Sequence, residues 1–142
     1  MNQVLADAGP LIALFDRNDG WHLKVKAWLR DYKGKLITCW PVITEVVHML
    51  DFHPQAPIDF LKWIRMGGIQ IYGLQQTDLG EIIFFFEKYR DLPADLADTS
   101  LLWISHETGI RRILTIDSDF QVYKRKDGTY LENVLVKPRV MY

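Results

Sequence analysis

The sequence predicts an α/β protein built on a mostly parallel sheet. Short apolar runs with the length of strands alternate along the chain with longer segments whose apolar residues recur at helical spacing. No apolar run approaches the roughly 18 residues that a membrane helix needs. Hydrophobic residues make up 49% and charged residues 25% of the 142 residues, which is the balance of a soluble globular protein. We therefore expect a single domain over residues 1–142.

The predicted strands are short aliphatic runs that end at turn signals. QVLA stops at Asp7, before a Gly-Pro pair, and KLITCW stops at Pro41. IQIYGL alternates as a strand with one exposed face does, RRILTID runs into an acidic turn, and YLENVLV suits an edge strand. We expect these strands at residues 3–6, 35–40, 69–74, 111–117 and 130–136.

The predicted helices are marked by apolar spacing and by capping residues. LIALF follows the Gly-Pro pair as a short helix, and Asn18 or Asp19 can cap the next one. Pro41 suits the first turn of a third helix, and a sixth begins near Pro93 and stops at Gly109. The helices are expected over residues 11–15, 21–32, 41–50, 57–66, 77–89 and 93–109.

Composition limits where the protein works and which partners it has. The opening residues, MNQVLADAGP, resemble no signal peptide, so we expect a cytoplasmic protein that does not associate with a membrane. The single cysteine, Cys39, lies in an apolar run and is expected to be an inert core residue. Residues 1–110 carry a net charge of −4 and residues 111–142 carry +3. The adjacent Lys124, Arg125 and Lys126 either steer a polyanion such as RNA or are solvated surface charges.

Two strands and two helices bring acidic residues to one edge of the predicted sheet. Asp7 follows the first strand, and Asp117 and Asp119 follow the fourth. Ligands bind outside the carboxyl ends of parallel strands, and the first turns of the third and sixth helices open on that same edge. The candidates for one acidic pocket are Asp7, Glu45, Asp95, Asp98, Asp117 and Asp119.

Carboxylates crowded into one pocket repel one another, and a divalent cation removes that conflict. All the candidate ligands are carboxylates, which would bind an ion through oxygen, and the four histidines show no metal-ligand spacing. The pattern therefore predicts Mg²⁺ or Mn²⁺ and argues against zinc. Asp95 and Asp119 also have a purely structural interpretation, as caps of the turns that follow them.

Three segments resemble a known family. VLADAGPLIALFD, PVITEVVHML and DLADTSLLWISHETGIRRILTIDSDFQVY together resemble the PIN-domain ribonucleases, most closely the VapC toxins of bacterial toxin–antitoxin pairs. The resemblance implies a PIN-like α/β/α sandwich whose acidic pocket binds Mg²⁺ or Mn²⁺ and cuts RNA. It implies metal binding by Asp7, Asp98 and Asp117. By position it makes the catalytic acids Asp7, Glu45, Asp98 and Asp117, supported by Asp119 and Asp95. Thr99 stands where the family more often has alanine.

The resemblance also implies partners. A toxin of this kind forms a homodimer and is neutralised by a small antitoxin protein that covers the pocket. Trp21, Trp28 and Trp63 suit either such interfaces or the core. Two other functions remain open, namely a PIN-like scaffold that binds without catalysis and a signalling module similar to the receiver domains.

Overall fold

The computed structural model describes residues 2–136, which form a five-stranded sheet flanked by six helices. All four pairs of neighbouring strands are parallel, which confirms the predicted α/β class and its parallel, PIN-like sheet. The strands are β1 (Gln3–Ala6), β2 (Lys35–Thr38), β3 (Gln70–Ile71), β4 (Arg112–Leu114) and β5 (Glu132–Asn133).

The helices fill the connections between the strands. Two single turns of 3₁₀ helix, at Gln76–Asp78 and Asp119–Gln121, lie before α5 and after β4. No helix in the described part of the chain is long and apolar enough to cross a membrane. The helices are α1 (Ala8–Phe15), α2 (His22–Asp31), α3 (Trp40–Met49), α4 (Gln55–Arg65), α5 (Leu79–Lys88) and α6 (Leu96–Thr108).

The strand order places β1 at the centre of the sheet. The order is β3-β2-β1-β4-β5, and Leu5 of β1 pairs with Ile37 on one side and with Ile113 on the other. The chain therefore winds outward from β1 to β3 and then returns to the opposite side of β1. Receiver domains have the order 2-1-3-4-5, so the receiver-like alternative is wrong for this chain. The point where the winding reverses lies between β1 and β4.

The core is built around β1 and α6. Val4, Leu5 and Ala6 of β1 are at most 1% exposed, as expected for a central strand covered on both faces. Helix α6 is buried along the whole stretch from Thr99 to Ser105, so it lies inside the domain. The N-terminus of this buried helix is consequently a rigid support for any side chain that it carries.

Cys39 and three of the tryptophans lie in the core or pack against it. Cys39 is 1% exposed, and burial raises the pKa of its thiol to about 12, which confirms that it is an inert core residue. The side chains of Trp21, Trp28 and Trp63 pack partly buried against the core, as the core interpretation of these residues requires.

β1 has its predicted range, and the other four strands are shorter than predicted. β2 ends at Thr38 because Cys39 is already the N-cap of α3, and Trp40, expected in the strand, begins the helix with 58% of its surface exposed. β4 ends at Leu114, since Thr115 turns its side chain into the acidic site. β3 and β5 each keep only two residues of the predicted run. Beyond the paired segments the apolar runs continue as the start of α3 after β2 and as loop around the other strands.

Helix boundaries differ where caps act closer to the strand than predicted. α1 begins at Ala8 because Asp7 caps it directly, and Pro10 is tolerated in its first turn. α2 begins at His22, although Asp19 accepts a hydrogen bond from the Trp21 N–H at 2.8 Å. At the other end of the chain, Gly109 ends α6 as predicted, in the left-handed conformation at φ 75°.

Arg125 has a structural position that the sequence did not reveal. Its guanidinium is buried, and its Nε donates to Ser105 Oγ at 2.7 Å on the inner helix α6. Its Nη1 donates to Asp127 Oδ2 at 2.8 Å and to Thr129 Oγ1 at 3.3 Å. The expectation that Arg125 steers RNA does not suit this placement, because its donors are committed inside the protein.

Replacing Arg125 with methionine should therefore destabilise the fold. Arg125→Met keeps most of the volume but removes hydrogen bonds from a charged donor, and we expect it to lower the free energy of unfolding by about 2 kcal/mol. Urea denaturation measures this change. Lys124→Met, at an exposed neighbouring position, should stay within about 0.5 kcal/mol of the wild type. Equal effects of the two substitutions would contradict the structural role of Arg125.

Candidate active site

Asp7 lies at the junction of β1 and α1, where it is 5% exposed. Its backbone N–H donates to Leu114 O at 3.0 Å, which continues the pairing of β1 with β4 by one residue. Its Oδ1 accepts from the Ala8 N–H at 2.9 Å as the N-cap of α1. Its Oδ2 accepts from the Thr115 hydroxyl at 2.8 Å. Both oxygens are thus held, and each keeps a further lone pair for a ligand.

Thr115 joins the ends of the two central strands. Its Oγ1 donates to Asp7 and accepts from the Asp117 N–H at 3.2 Å. Its carbonyl oxygen accepts from Asn133 Nδ2 at 3.1 Å, on the neighbouring strand β5. Thr115 is 1% exposed. A single buried hydroxyl therefore sets the position of Asp7 relative to the turn that carries Asp117.

Asp95 and Asp98 form a reciprocal cap at the start of α6. Asp95 Oδ1 accepts from the Asp98 N–H at 2.9 Å, and Asp98 Oδ2 accepts from the Asp95 N–H at 3.3 Å. Thr99, which replaces the more usual alanine, is fully buried and donates from Oγ1 to Asp95 O at 2.9 Å. The capping interpretation of Asp95 is therefore correct, and the cap also fixes Asp98 at the site.

Glu45 and Asp119 flank this centre. Glu45 lies on α3, beside a surface groove that also includes Asp95. Asp119 begins the 3₁₀ turn after β4, and its carbonyl oxygen accepts from the N–H groups of Val122 and Tyr123. These are ordinary backbone hydrogen bonds of the turn, whose N-cap is Ser118, so the expected cap by the Asp119 side chain is not formed and that side chain belongs to the acidic rim.

The acids lie close enough together for neighbouring carboxylates to help raise the pKa of four of them, namely Asp7, Glu45, Asp98 and Asp119. Burial, opposed by the two hydrogen bonds and reinforced by the charges of Asp117 and Glu45, raises the pKa of Asp7 from 3.8 to about 6. Burial and the Asp95 carboxylate raise the pKa of Asp98 from 3.8 to about 8, with Asp7 contributing.

The same mutual influence extends to the two flanking acids. Partial burial, followed by the charges of Asp95 and Asp117, raises the pKa of Glu45. Burial, followed by Asp117 and Asp95, raises the pKa of Asp119. The structure thus brings the six candidates together at one rim of the sheet. They come from the ends of β1 and β4, from α3 and from the start of α6.

Within residues 2–136, no three acidic, histidine or cysteine side chains are arranged so that they could ligate a single ion. Mg²⁺ usually takes only one or two carboxylates directly and keeps several of its waters. The oxygen-only donor set and the mutually raised pKa values fit an ion bound by one or two of these acids, with the others acting through water. The expected set of three direct ligands, Asp7, Asp98 and Asp117, is not formed as it stands.

Comparison with known proteins shows the fold. No family model and no curated protein matches this sequence. A solved structure that does match is that of VapC20 from Mycobacterium tuberculosis, described as a toxin that cleaves the sarcin–ricin loop. The superposition has a TM-score of 0.76 and covers 95% of this chain and 99% of the other, at 16% sequence identity. The chain has the fold of that VapC toxin. The PIN-like fold expected from the resemblance is confirmed.

Two residues of the site were given no role from the sequence. Thr115 connects the two strand ends, and Asn133 holds the Thr115 carbonyl while its own Oδ1 accepts from the Leu135 and Val136 N–H groups. The available signal for Thr115 was its place two residues before Asp117 at the end of a buried strand. Asn133 had no signal, because only the tertiary fold brings it beside β4.

The raised pKa of Asp98 predicts a stability that depends on pH. The folded chain holds this proton up to about pH 8, whereas the unfolded chain releases it near 3.8, so wild-type stability falls as pH rises between those values. With a chelator present, Asp98→Asn should melt a few degrees above the wild type near pH 8, and the difference should shrink toward pH 4. Calorimetry at both pH values measures it.

A matched control uses an acid outside the site. Asp59 is exposed on α4 and accepts a hydrogen bond from Gln55, which an asparagine side chain can also accept. Asp59→Asn should show no comparable gain at either pH. A gain for Asp98→Asn that did not vary with pH would contradict the proposed origin of the effect.

The Thr115 hydroxyl should lower the pKa of the Asp7 carboxyl group. Its hydrogen bond lowers the Asp7 pKa against the opposing effect of burial, so Thr115→Val should raise that pKa above about 6. Thr115→Ser keeps the hydroxyl and should leave the pKa near its wild-type value. Carbon-13 NMR titration of the aspartate carboxyl groups, with Asp7→Asn to assign the signal, measures the shift. An unchanged Asp7 titration in Thr115→Val would show that the hydrogen bond has no effect.

Proposed function

We propose that this protein is a metal-dependent endoribonuclease, the toxin of a toxin–antitoxin pair. The observation that carries the proposal is the group of acids around the point between β1 and β4 where the sheet reverses its winding, the usual ligand crevice of a parallel sheet. The shared fold of VapC20, a toxin that cleaves RNA at the sarcin–ricin loop, supports the same conclusion.

We give the acids two different roles. Asp7 is buried at the end of β1, Asp98 is half-buried at the start of α6 and Asp117 is exposed on the turn after β4, and one or two of these three would bind Mg²⁺ or Mn²⁺ directly. Glu45 and Asp119, at the rim, would hold waters of the ion or orient the attacking water. Bound there, the cation would supply an activated water and neutralise charge on the phosphate oxygens.

The chain's own contribution is to position these groups before RNA arrives. Asp7 is fixed by Ala8 and Thr115, and Asp98 is fixed by Asp95, so neither carboxylate has to be ordered when substrate binds. Asp95 therefore acts through Asp98 as a positioning residue. Thr115 acts in the same way through Asp7.

Fewer residues of the basic cluster are available to contact RNA than the sequence suggested. Arg125 is committed to the interior, and Lys126 Nζ pairs with Glu81 at 2.7 Å. Lys124 is exposed, and no carboxylate in residues 2–136 forms a salt bridge with it. We assign the steering of the RNA backbone chiefly to Lys124, with Lys126 as a weaker contributor.

The partners follow from the same proposal. The protein would act in the cytoplasm as a homodimer, and a small antitoxin would inhibit it by covering the acidic rim. The aliphatic and aromatic side chains exposed along α5 provide apolar surface for such contacts, namely Leu79, Ile83, Phe84 and Phe86.

One observation favours a second function, a PIN-like scaffold that binds RNA or protein without cutting. The described acids share a rim without forming a three-ligand cluster. If they bind no cation productively, the fold would remain a binding platform. Whether the protein cuts RNA distinguishes this scaffold from the nuclease.

Cleavage of RNA tests both functions. Purified protein with Mn²⁺ or Mg²⁺ should cut a pool of structured and single-stranded RNA, and EDTA should abolish cutting. Asp98→Asn should reduce the cleavage rate by about 100-fold or more, because it removes a charge that acts on the metal site. Glu107→Gln, at the opposite end of α6, should cut at the wild-type rate.

The scaffold would be supported by a folded protein that binds RNA without cutting it under any metal condition. Cleavage that persisted in EDTA would refute the metal-dependent mechanism, and cleavage at the wild-type rate by Asp98→Asn would refute the role given to Asp98.

A further inference from the structure

A cavity of about 270 Å³ adjoins the acidic site on the β5 side. It lies between the 3₁₀ turn Asp119–Gln121 and the segment that leads into β5, and it shares the side chains of Asp117 and Thr115 with the acidic rim. Drug-sized ligands occupy pockets of roughly 300–1,000 Å³, so this one suits a single planar ring system.

The interior of the cavity is apolar and aromatic. Phe120 and Leu131, which are 3% and 6% exposed, form its inner wall, and the half-exposed ring of Tyr130 lies at its mouth. Asn133 also lines it, but both ends of its amide are bonded to backbone groups. Apart from Asp117 and Glu132 at its edges, the cavity therefore offers stacking surface and shape more than charge.

The side chain of Lys124 lies next to the Tyr130 ring at the mouth of the cavity. Lys124 Nζ lies 5.4 Å from the centroid of the Tyr130 ring, and the two residues face each other across an antiparallel bridge. Lys124 forms no salt bridge within residues 2–136. An aromatic surface beside such a lysine is the combination that binds a nucleotide, with the base on the ring and the phosphate near the cation.

The mouth is held rigidly. The hairpin 124–130 closes with a hydrogen bond from the Arg125 N–H to Thr129 O at 2.7 Å. From inside the hairpin, the Arg125 guanidinium donates to Ser105 on the buried helix α6 and to Asp127. The positions of Lys124 and Tyr130 are therefore set by the core of the domain.

We propose that this cavity, the base pocket, receives the unpaired nucleobase of the nucleotide next to the scissile phosphate. The inference rests on the proposed nuclease function and deepens it, because the shared Asp117 places the base within one nucleotide of the acids. Base–aromatic stacking tolerates any base. Shape and the side chains of Gln121 and Glu132 at the pocket edge then bias the choice.

The test is cleavage of a random-sequence single-stranded RNA pool, with the cut ends mapped for the wild type and its variants. The wild type should prefer particular bases at one nucleotide flanking the cut. Tyr130→Ala should cut about tenfold more slowly and lose that preference at the same nucleotide alone. Tyr130→Phe keeps the ring and should retain both rate and preference. Phe52→Ala, an equally exposed aromatic residue outside the pocket, should also match the wild type.

A second arm changes the substrate. When the favoured nucleotide is replaced by an abasic one, the wild type and Tyr130→Ala should cut at equal rates, because neither can then use the pocket. A wild-type rate and base preference in Tyr130→Ala would overturn the proposal. So would a Tyr130→Ala defect that persisted in full on abasic RNA, since that would indicate a structural effect or contact with a partner protein.

Binding separates failure of the pocket from failure of the nuclease. Fluorescence anisotropy with a short single-stranded RNA should show weaker binding by Tyr130→Ala than by Tyr130→Phe. If the wild type binds RNA with this dependence but never cuts it, the base pocket stands and the nuclease function falls. If the wild type binds no RNA, both fall.

Discussion

The site depends on the parallel pairing of β1 with β4. Two residues of each strand pair, Leu5 with Ile113 and Ala6 with Leu114, across more than a hundred residues of chain. The pairing continues past the strand ends through the Asp7 N–H and then through the Thr115 hydroxyl. Because the winding of the sheet reverses between these strands, helices do not cover the crevice above them. The same constraint therefore opens the crevice and delivers acids to it.

The acids oppose the fold that gathers them. Burial and like charges raise the pKa of Asp7 and of Asp98, so ionising them inside the folded chain costs stability. The surrounding structure compensates with local hydrogen bonds. Asp7 caps α1, and Asp95 and Asp98 cap α6 reciprocally. Each carboxylate thus has a structural function that keeps it in place. Each is also repelled by the neighbouring carboxylates, and a bound cation would offset that repulsion.

The fold class could be predicted because the spacing of apolar residues and the positions of turn and capping residues are local properties of the sequence. Alternating runs gave the parallel sheet, and the six acids could be placed at one rim from the rule on strand ends alone. Strand lengths could not be predicted, because LITCW remains apolar where the chain has already become a helix: Cys39 caps α3 and Trp40 is exposed. The ends of the strands are set by helix starts and tertiary contacts, which no local apolar pattern encodes.

The same limit explains Arg125 and Thr115. Three adjacent cations look alike in the sequence, yet one is buried against α6, one pairs with α5 and one faces solvent. Only the long-range position of Ser105 distinguishes Arg125 from its neighbours. The position of Thr115 two residues before Asp117 was a local signal, but its role could not be predicted because it consists of contacts with Asp7 and Asn133, which come from distant parts of the chain.

These long-range contacts divide the rim into two parts with separate supports. The acidic part is held by β1, β4 and the capped start of α6. The aromatic part, with Tyr130 and Lys124, is held by the hairpin that Arg125 ties to the other end of α6. Because both parts rest on one buried helix, their spacing is as rigid as the core. Side chains on the hairpin surface can change while the acids stay in place, so under the proposed function recognition can vary independently of the metal site.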